Sequence, residues 1–257
     1  MHRAFGNIRI VSLAPNATSI LFEIGAEKYL VGVSRWCESV APVGRLPRVG
    51  DCWALDVHEV ARLRPSIVIG SVPFRPDIVA KLLELPAAFL ALNPRSLRDI
   101  ESDVRLLAAV TNRRLAAQNL IVKMRREFSR IASVARRSRT KPRVYCEAWP
   151  NPRISSSPWV ADLVQVAGGR PVLPAGSRVT DQEVAKARPQ VIILAWTATG
   201  NRSDPRKALR NPFWSKVPAV RDNRVVVIAD ELLNTPGPPL IDGAKPLLRA
   251  IHPELVQ

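Results

Sequence analysis

A chain of 257 residues with 47% apolar side chains has room for one large domain or two small ones, and enough material for a packed core. A mean hydropathy near zero, with no apolar run approaching the ~18 residues a span requires, excludes a membrane-crossing helix. The net charge of +16 draws anions such as nucleic acid, phospholipid heads or acidic proteins. Because the arginines are scattered along the chain, that charge reads as a solvated basic surface ahead of a nucleic-acid site.

Met1 to Asn7 lacks the apolar stretch of a secretory signal, so the chain as it stands reads as cytoplasmic, or as periplasmic if it is a trimmed mature form. His2 falls in this terminal stretch. Ile8 to Leu13 reads as a buried strand, Ala14-Pro15-Asn16 as a turn, and Ala17 to Ile24 as a helix stopped by Gly25. A second strand covers Leu30 to Val33. Asp56-Val57-His58-Glu59 is a variant of the capping box and opens a helix that ends before Pro65. Ser66 to Gly70 is a strand, Asp77 to Leu85 a helix, and Ala87 to Leu92 a strand. From Ser96 a helical region keeps apolar residues three to four apart, with Thr111-Asn112 as its interruption. The part from Arg113 to Arg137 spans about 37 Å at 1.5 Å per residue. The dense basic run Arg136-Arg137-Ser138-Arg139-Thr140-Lys141-Pro142-Arg143 falls at its end, where cations suit the helix dipole.

Beyond Pro142 the alternation resumes: strand at Arg143 to Glu147, helix at Pro158 to Val166 closed by Gly168-Gly169, a full capping box at Thr180-Asp181-Gln182-Glu183, strands at Gln190 to Leu194 and Arg224 to Ile228, and a last helix at Pro239 to Ile251. The fold class is α/β, with mostly parallel sheets covered by helices.

Glu59 to Gly70 matches Glu183 to Leu194, with six of twelve positions identical. Each copy is a capped helix, an Arg-Pro stop and a buried strand. The two halves therefore read as one α/β unit used twice: an N-terminal lobe at 1–95, a connecting helical region at 96–140 and a C-terminal lobe at 141–257. A duplicated lobe pair places a small molecule in the cleft between the lobes, near the carboxyl ends of the strands.

The chain carries no P-loop, GxGxxG, HExxH or GxSxG, and it is read as a binder, not an enzyme. Cys37, Cys52 and Cys146 fit no zinc or redox spacing and read as free thiols, with Cys37–Cys52 as the pairing weighed against that. The loops after the strands hold Trp36, Cys52, Trp53, Phe74, Trp149 and Trp196, and the stretch after the last strand holds Asp230 and Glu231. Aromatic groups there suit a large flat ligand held by area, with Glu147, Asp230 and Glu231 as polar contacts. Each tryptophan has core packing as its alternative role, and Trp159 and Trp214 are assigned to the core.

Arg9 to Thr18, Val31-Gly32-Val33-Ser34, Val49-Gly50-Asp51 and Leu63 to Ile69 together resemble the class III, helical-backbone substrate-binding proteins of ABC importers for cobalamin, iron-siderophores and haem. The resemblance runs from about Ile8 to Ile251. Glu147-Ala148-Trp149, Trp159 to Asp162 with Gly168-Gly169, and Pro236-Gly237-Pro238 with Leu240 to Gly243 are most similar to the cobalamin branch. The resemblance implies two lobes braced by a rigid helix and a corrinoid ligand, with siderophore or haem as alternatives. It aligns Trp53 or Cys52 with an aromatic that packs on the corrin, and Asp230 with an acidic residue whose basic companion is here Asn234. It also implies an ABC permease partner, yet His58 and Gln182 stand where the family presents docking glutamates. That departure favours a cytoplasmic corrinoid-binding homologue. Other readings are anion or nucleic-acid binding through the basic surface, or a cytoplasmic enzyme acting on a cofactor in the cleft.

Overall fold

Short runs of Val, Ile and Leu without polar alternation are the pattern of strands buried on both faces. The computed structural model describes residues 8–51 and 53–256; His2 and Cys52, and with Cys52 the weighed pairing, lie outside the described residues. The chain divides into two compact units, one built from the chain up to Pro94 with Arg98–Ile121, the other from Arg95–Leu97 with Val122 onward.

In the first unit β1 (Ile10–Ser12), β2 (Leu30–Ser34), β3 (Arg48–Val49), β4 (Ile67–Ser71) and β5 (Ala88–Leu92) form one sheet in the order β3-β2-β1-β4-β5. Every pairing is parallel. The crossovers carry α1 (Pro15–Glu23), α2 (Val57–Arg62) and α3 (Pro76–Leu83). Gly25, at φ +67°, closes α1 in a conformation that only glycine adopts freely. A core of Val11, Leu13, Val60, Val68, Ile78 and Leu82 lies between sheet and helices.

The helical region is two helices, α4 (Leu97–Thr111) and α5 (Arg114–Ala135). Asn112, at φ +55°, breaks the helix at the interruption expected from sequence. The boundary between the two units falls inside α5, between Ile121 and Val122.

In the second unit β6 (Arg143–Pro150) pairs in parallel with β8 (Arg170–Pro171) and with β9 (Val191–Leu194), which pairs with β10 (Val225–Val227). One pairing departs from the parallel pattern: β7 (Arg153–Ser155) runs antiparallel to β6, as the return arm of a hairpin. Trp149, expected in a loop after the strand, lies within β6 instead; Pro150 ends β6 and Pro152 stands outside both strands, where a missing N–H costs nothing. Helices α6 (Pro158–Val166), α7 (Asp181–Ala187), α8 (Pro205–Leu209), α9 (Pro218–Arg221), α10 (Asp230–Asn234) and α11 (Pro239–Ile251) complete the unit. The three short ones, α8 to α10, had no sequence expectation because fewer than six residues give no readable period.

The sequence repeat is also a repeat of contacts. Ile67 of β4 sits opposite Ile10 of β1, and its counterpart Val191 of β9 sits opposite Val144 of β6. The Arg9 guanidinium donates to the carbonyls of Leu63 and Arg64 at the end of α2. Arg143 donates in the same way to the Arg188 carbonyl at the end of α7. Arg64 and Arg188 are both left-handed, at φ +45° and +48°, each directly before its proline. An arginine thus satisfies the orphan carbonyls of the stopped helix in each copy. The starts differ in detail. Asp56 accepts from the His58 N–H at α2, whereas Thr180 and Glu183 complete both halves of a capping box at α7.

Candidate functional site

All five strands of the first sheet are parallel, so their carboxyl ends share one edge, and the loops leaving β2, β3 and β4 gather there. The loop after β2 carries Trp36, the loop after β3 carries Asp51 and Trp53, and the loop after β4 carries Phe74. Asp51 organises them. Its Oδ1 accepts from the N–H groups of Trp53 (2.9 Å) and Ala54 (3.1 Å), and its Oδ2 accepts from the Trp36 indole N–H (2.6 Å), with Arg35 at 3.5 Å. Burial by itself would raise the Asp51 carboxyl, but these donors hold it below its ordinary value. The turn closes so tightly that a Cβ on Gly50 would stand 2.0 Å from the Ala54 carbonyl oxygen.

Asp51 thus holds the Trp36 indole and the Trp53 backbone, and both rings face solvent: Trp36 is 38% and Trp53 54% exposed. The Arg35 guanidinium lies 4.7 Å from the Trp36 ring centroid, a cation–π arrangement. Phe74 points the other way. It meets Phe89 edge-on at 5.8 Å and covers Gly70, where a Cβ would come within 2.1 Å of its ring. Among the expected site aromatics it is therefore a half-buried member of the core rim.

In the second unit the expected residues separate into two groups. Glu147 and Trp196 are in the core. The Glu147 carboxylate accepts from the Trp196 indole N–H (2.9 Å), from the Tyr145 hydroxyl (2.9 Å) and from the Arg153 guanidinium. Arg153 also reaches Asp181 at 3.0 Å and stacks on Trp214 at 4.3 Å. Sequence reasoning placed Glu147 and Trp196 at a ligand; the structure places them in a buried ionic network in which both carboxylate oxygens are already engaged. The physical reason is the hairpin, since β7 carries Arg153 back alongside Glu147, a pairing with no local sequence signature. The Tyr145 hydroxyl is pushed far above its usual range, first by burial and then by the Glu147 charge.

Trp149, Asp230 and Glu231 are accessible. Trp149 is exposed and its indole N–H donates to the Asn151 carbonyl at 2.8 Å. Asp230 begins α10 and accepts from the N–H groups of Ala198 (2.9 Å) and Gly200 (2.6 Å) in the loop after β9. Its carboxyl is raised by burial, with Glu231 adding to the effect. Asn234 donates to the Ala195 carbonyl at 2.7 Å, and its own Oδ1 is buried with no partner. His58 and Gln182 are the exposed second residues of α2 and α7, equivalent points of the two repeats. Among the described residues no three His, Cys, Asp or Glu side chains converge as a metal site. Burial raises the Cys146 thiol to about 12, which disfavours the thiolate. Two organising residues, Asp51 and Arg153, were not assigned roles from sequence; the Val49-Gly50-Asp51 element was the available signal for the first.

Residues 10–232 match the family model described as periplasmic binding protein. The chain is 23% identical over 258 residues to the uncharacterized ABC transporter substrate-binding lipoprotein YvrC of Bacillus subtilis strain 168, covering 96% of this chain and 80% of that protein. It is 22% identical to the vitamin B12-binding protein of Pectobacterium carotovorum, covering 95% and 90% respectively. Among solved structures it superposes with a TM-score of 0.82 on a periplasmic heme-binding protein from Pseudomonas aeruginosa, at 25% identity and 95% and 92% coverage.

Proposed function

Because the chain belongs to the periplasmic binding protein family, we propose that it is the substrate-binding component of an ABC importer and that its ligand is a corrinoid. The observation that carries the ligand class is the indole pair of the first unit. Trp36 and Trp53 stand exposed at the carboxyl edge of a parallel sheet, both fixed by Asp51. A buried carboxylate that fixes one exposed indole through its N–H and the backbone carrying the other preorganises area for a large flat ligand, and this ordering removes part of the entropy cost of binding. Trp149, Asp230 and Glu231, accessible within the second unit, are kept as candidate ligand-contact residues of that unit by itself. Glu147, Trp196 and Phe74 are left out of the contact set because their surfaces are already committed to the core.

Haem is the second reading, and the named haem-binding structure of the same fold supports it. The two ligands differ chemically at the metal. Cobalamin brings its own lower base, and cobinamide is filled at the metal by water or small anions, whereas haem takes an axial side chain from the protein. No His or Tyr stands among the proposed contacts; His58, at the start of α2, is the exposed imidazole that follows these loops in the chain. This favours the corrinoid and makes His58 the discriminating position. Transport in partnership with a permease belongs to this proposal, as does a location outside the cytoplasmic membrane, both on the strength of the named relatives.

Titration with cobinamide, cobalamin and haemin, followed by tryptophan quenching and by the visible band of each ligand, tests the reading. Saturable corrinoid binding near one per chain, retained in His58→Ala, supports it. Haemin binding that His58→Ala abolishes, without corrinoid binding, replaces corrinoid by haem.

A further inference from the structure

The solvent side of α5 has no role in the function proposed above. This helix of 22 residues is about 33 Å long at 1.5 Å per residue. Its inner face, Ala117, Leu120, Ile121, Met124 and Ile131, is buried. Spacings of three and four residues put Leu115, Asn119, Val122, Arg126, Arg130 and Ser133 in one outward row, and all six are exposed. Leu115 is 76% and Val122 53% exposed, high values for branched apolar side chains. The helix then runs into the exposed cations Arg136, Arg137, Arg139 and Lys141. Against these, α5 holds a single carboxylate, Glu127, half-buried and shared between Arg126 (3.5 Å) and Arg130 (3.1 Å).

We propose that the outward face of α5, with the basic turn that follows it, docks on an anionic phospholipid surface. Two features of the same row select this partner. The cations attract a negative surface, and the leucine and valine gain contact area at the boundary between headgroups and acyl chains. A nucleic-acid backbone satisfies only the first, and the row carries no aromatic ring on which bases could stack. A solvated helix face would not need the apolar pair, and a protein core would not need the charge.

The test is flotation of the purified chain with vesicles of phosphatidylglycerol and phosphatidylethanolamine, against vesicles of phosphatidylcholine alone. A charge variant carries Arg136→Gln, Arg137→Gln, Arg139→Gln and Lys141→Gln. An apolar variant carries Leu115→Ser and Val122→Ser. A matched control removes the same charge elsewhere, through Arg62→Gln, Lys81→Gln, Lys186→Gln and Lys216→Gln. All these positions are exposed, and circular dichroism verifies folding. The expected result is binding to the anionic vesicles only, weakened roughly a hundredfold or more in the charge variant at about fivefold per cation, weakened several-fold in the apolar variant, and retained in the control. Absence of binding to anionic vesicles overturns the proposal, as does equal loss in the control. Binding indifferent to the apolar variant and matched by binding to duplex DNA would make the face a general polyanion surface, and also overturns it.

Discussion

Glu147→Gln isolates the buried ionic network, because it removes a charge while preserving shape. In the wild type one carboxylate with no solvent contact serves three donors, the Trp196 indole, the Tyr145 hydroxyl and the Arg153 guanidinium. The amide can still accept from one or two of them, but its own N–H groups then face the remaining donors. Breaking a buried pair by removing one partner costs about 3–5 kcal/mol. Arg153 keeps Asp181 at 3.0 Å, so the lower end applies and we expect about 3 kcal/mol. Arg153→Met leaves the carboxylate itself buried and unpaired, which takes the upper end of the same range. Urea unfolding followed by tryptophan fluorescence, with near-UV circular dichroism as a second probe of the same transition, measures both. At roughly 2–4 °C per kcal/mol for a chain of this size, Glu147→Gln lowers Tm by about 6–12 °C. The double variant should lose less than the sum, because the pair is broken only once. Ligand affinity of the folded variant should be nearly unchanged. A loss under about 0.5 kcal/mol, or strict additivity with Arg153→Met, would refute the idea that these groups act as a buried unit.

Trp53→Ala should weaken ligand binding by about 1–2 kcal/mol, read by calorimetry, while Tm stays within a degree or two because the ring is exposed. Equal affinity would remove Trp53 from the site. Gly50→Ala places a Cβ 2.0 Å from the Ala54 carbonyl, so the loop must open; we expect loss of ligand affinity greater than that of Trp53→Ala, with circular dichroism of the fold retained. Asp103, on α4, has a buried Oδ2 without a partner, and its carboxyl is raised to about 6 by burial and by Asp99. Its folded value lies above the unfolded 3.8, so the native state holds the proton more tightly and stability falls as pH rises from about 4 to about 6. Asp103→Asn should abolish that decline and raise Tm at pH 8, and an unchanged pH profile would contradict the assignment. Asp51 has the opposite sign, being lowered in the folded state. Its contribution is present above the unfolded value and disappears as pH falls through the folded one, so Asp51→Asn should flatten the acid side of the Tm profile and reduce ligand affinity throughout.

What the sequence determined by itself follows from local chemistry. Unbroken Val/Ile/Leu runs announced strands buried on both faces, Thr180 with Glu183 announced a helix start, Thr111-Asn112 announced the break between α4 and α5, and the twelve-residue repeat announced one α/β unit used twice. Each of these signals acts over a few residues, so it is written contiguously in the chain. The site residues were legible only as a list of aromatics and carboxylates at strand ends. Which of them face solvent and which serve the core was decided by tertiary pairing. Trp53 stays exposed because Asp51 pins its backbone in a tight turn, whereas Trp196 and Glu147 turn inward because the β6–β7 hairpin brings Arg153 across to meet the carboxylate. A charge is kept in a protein interior only by a partner, and that partner stands six residues away in sequence on the other arm of a hairpin. Periodicity and capping describe neighbours along the chain; the burial of Glu147 is a statement about neighbours in space.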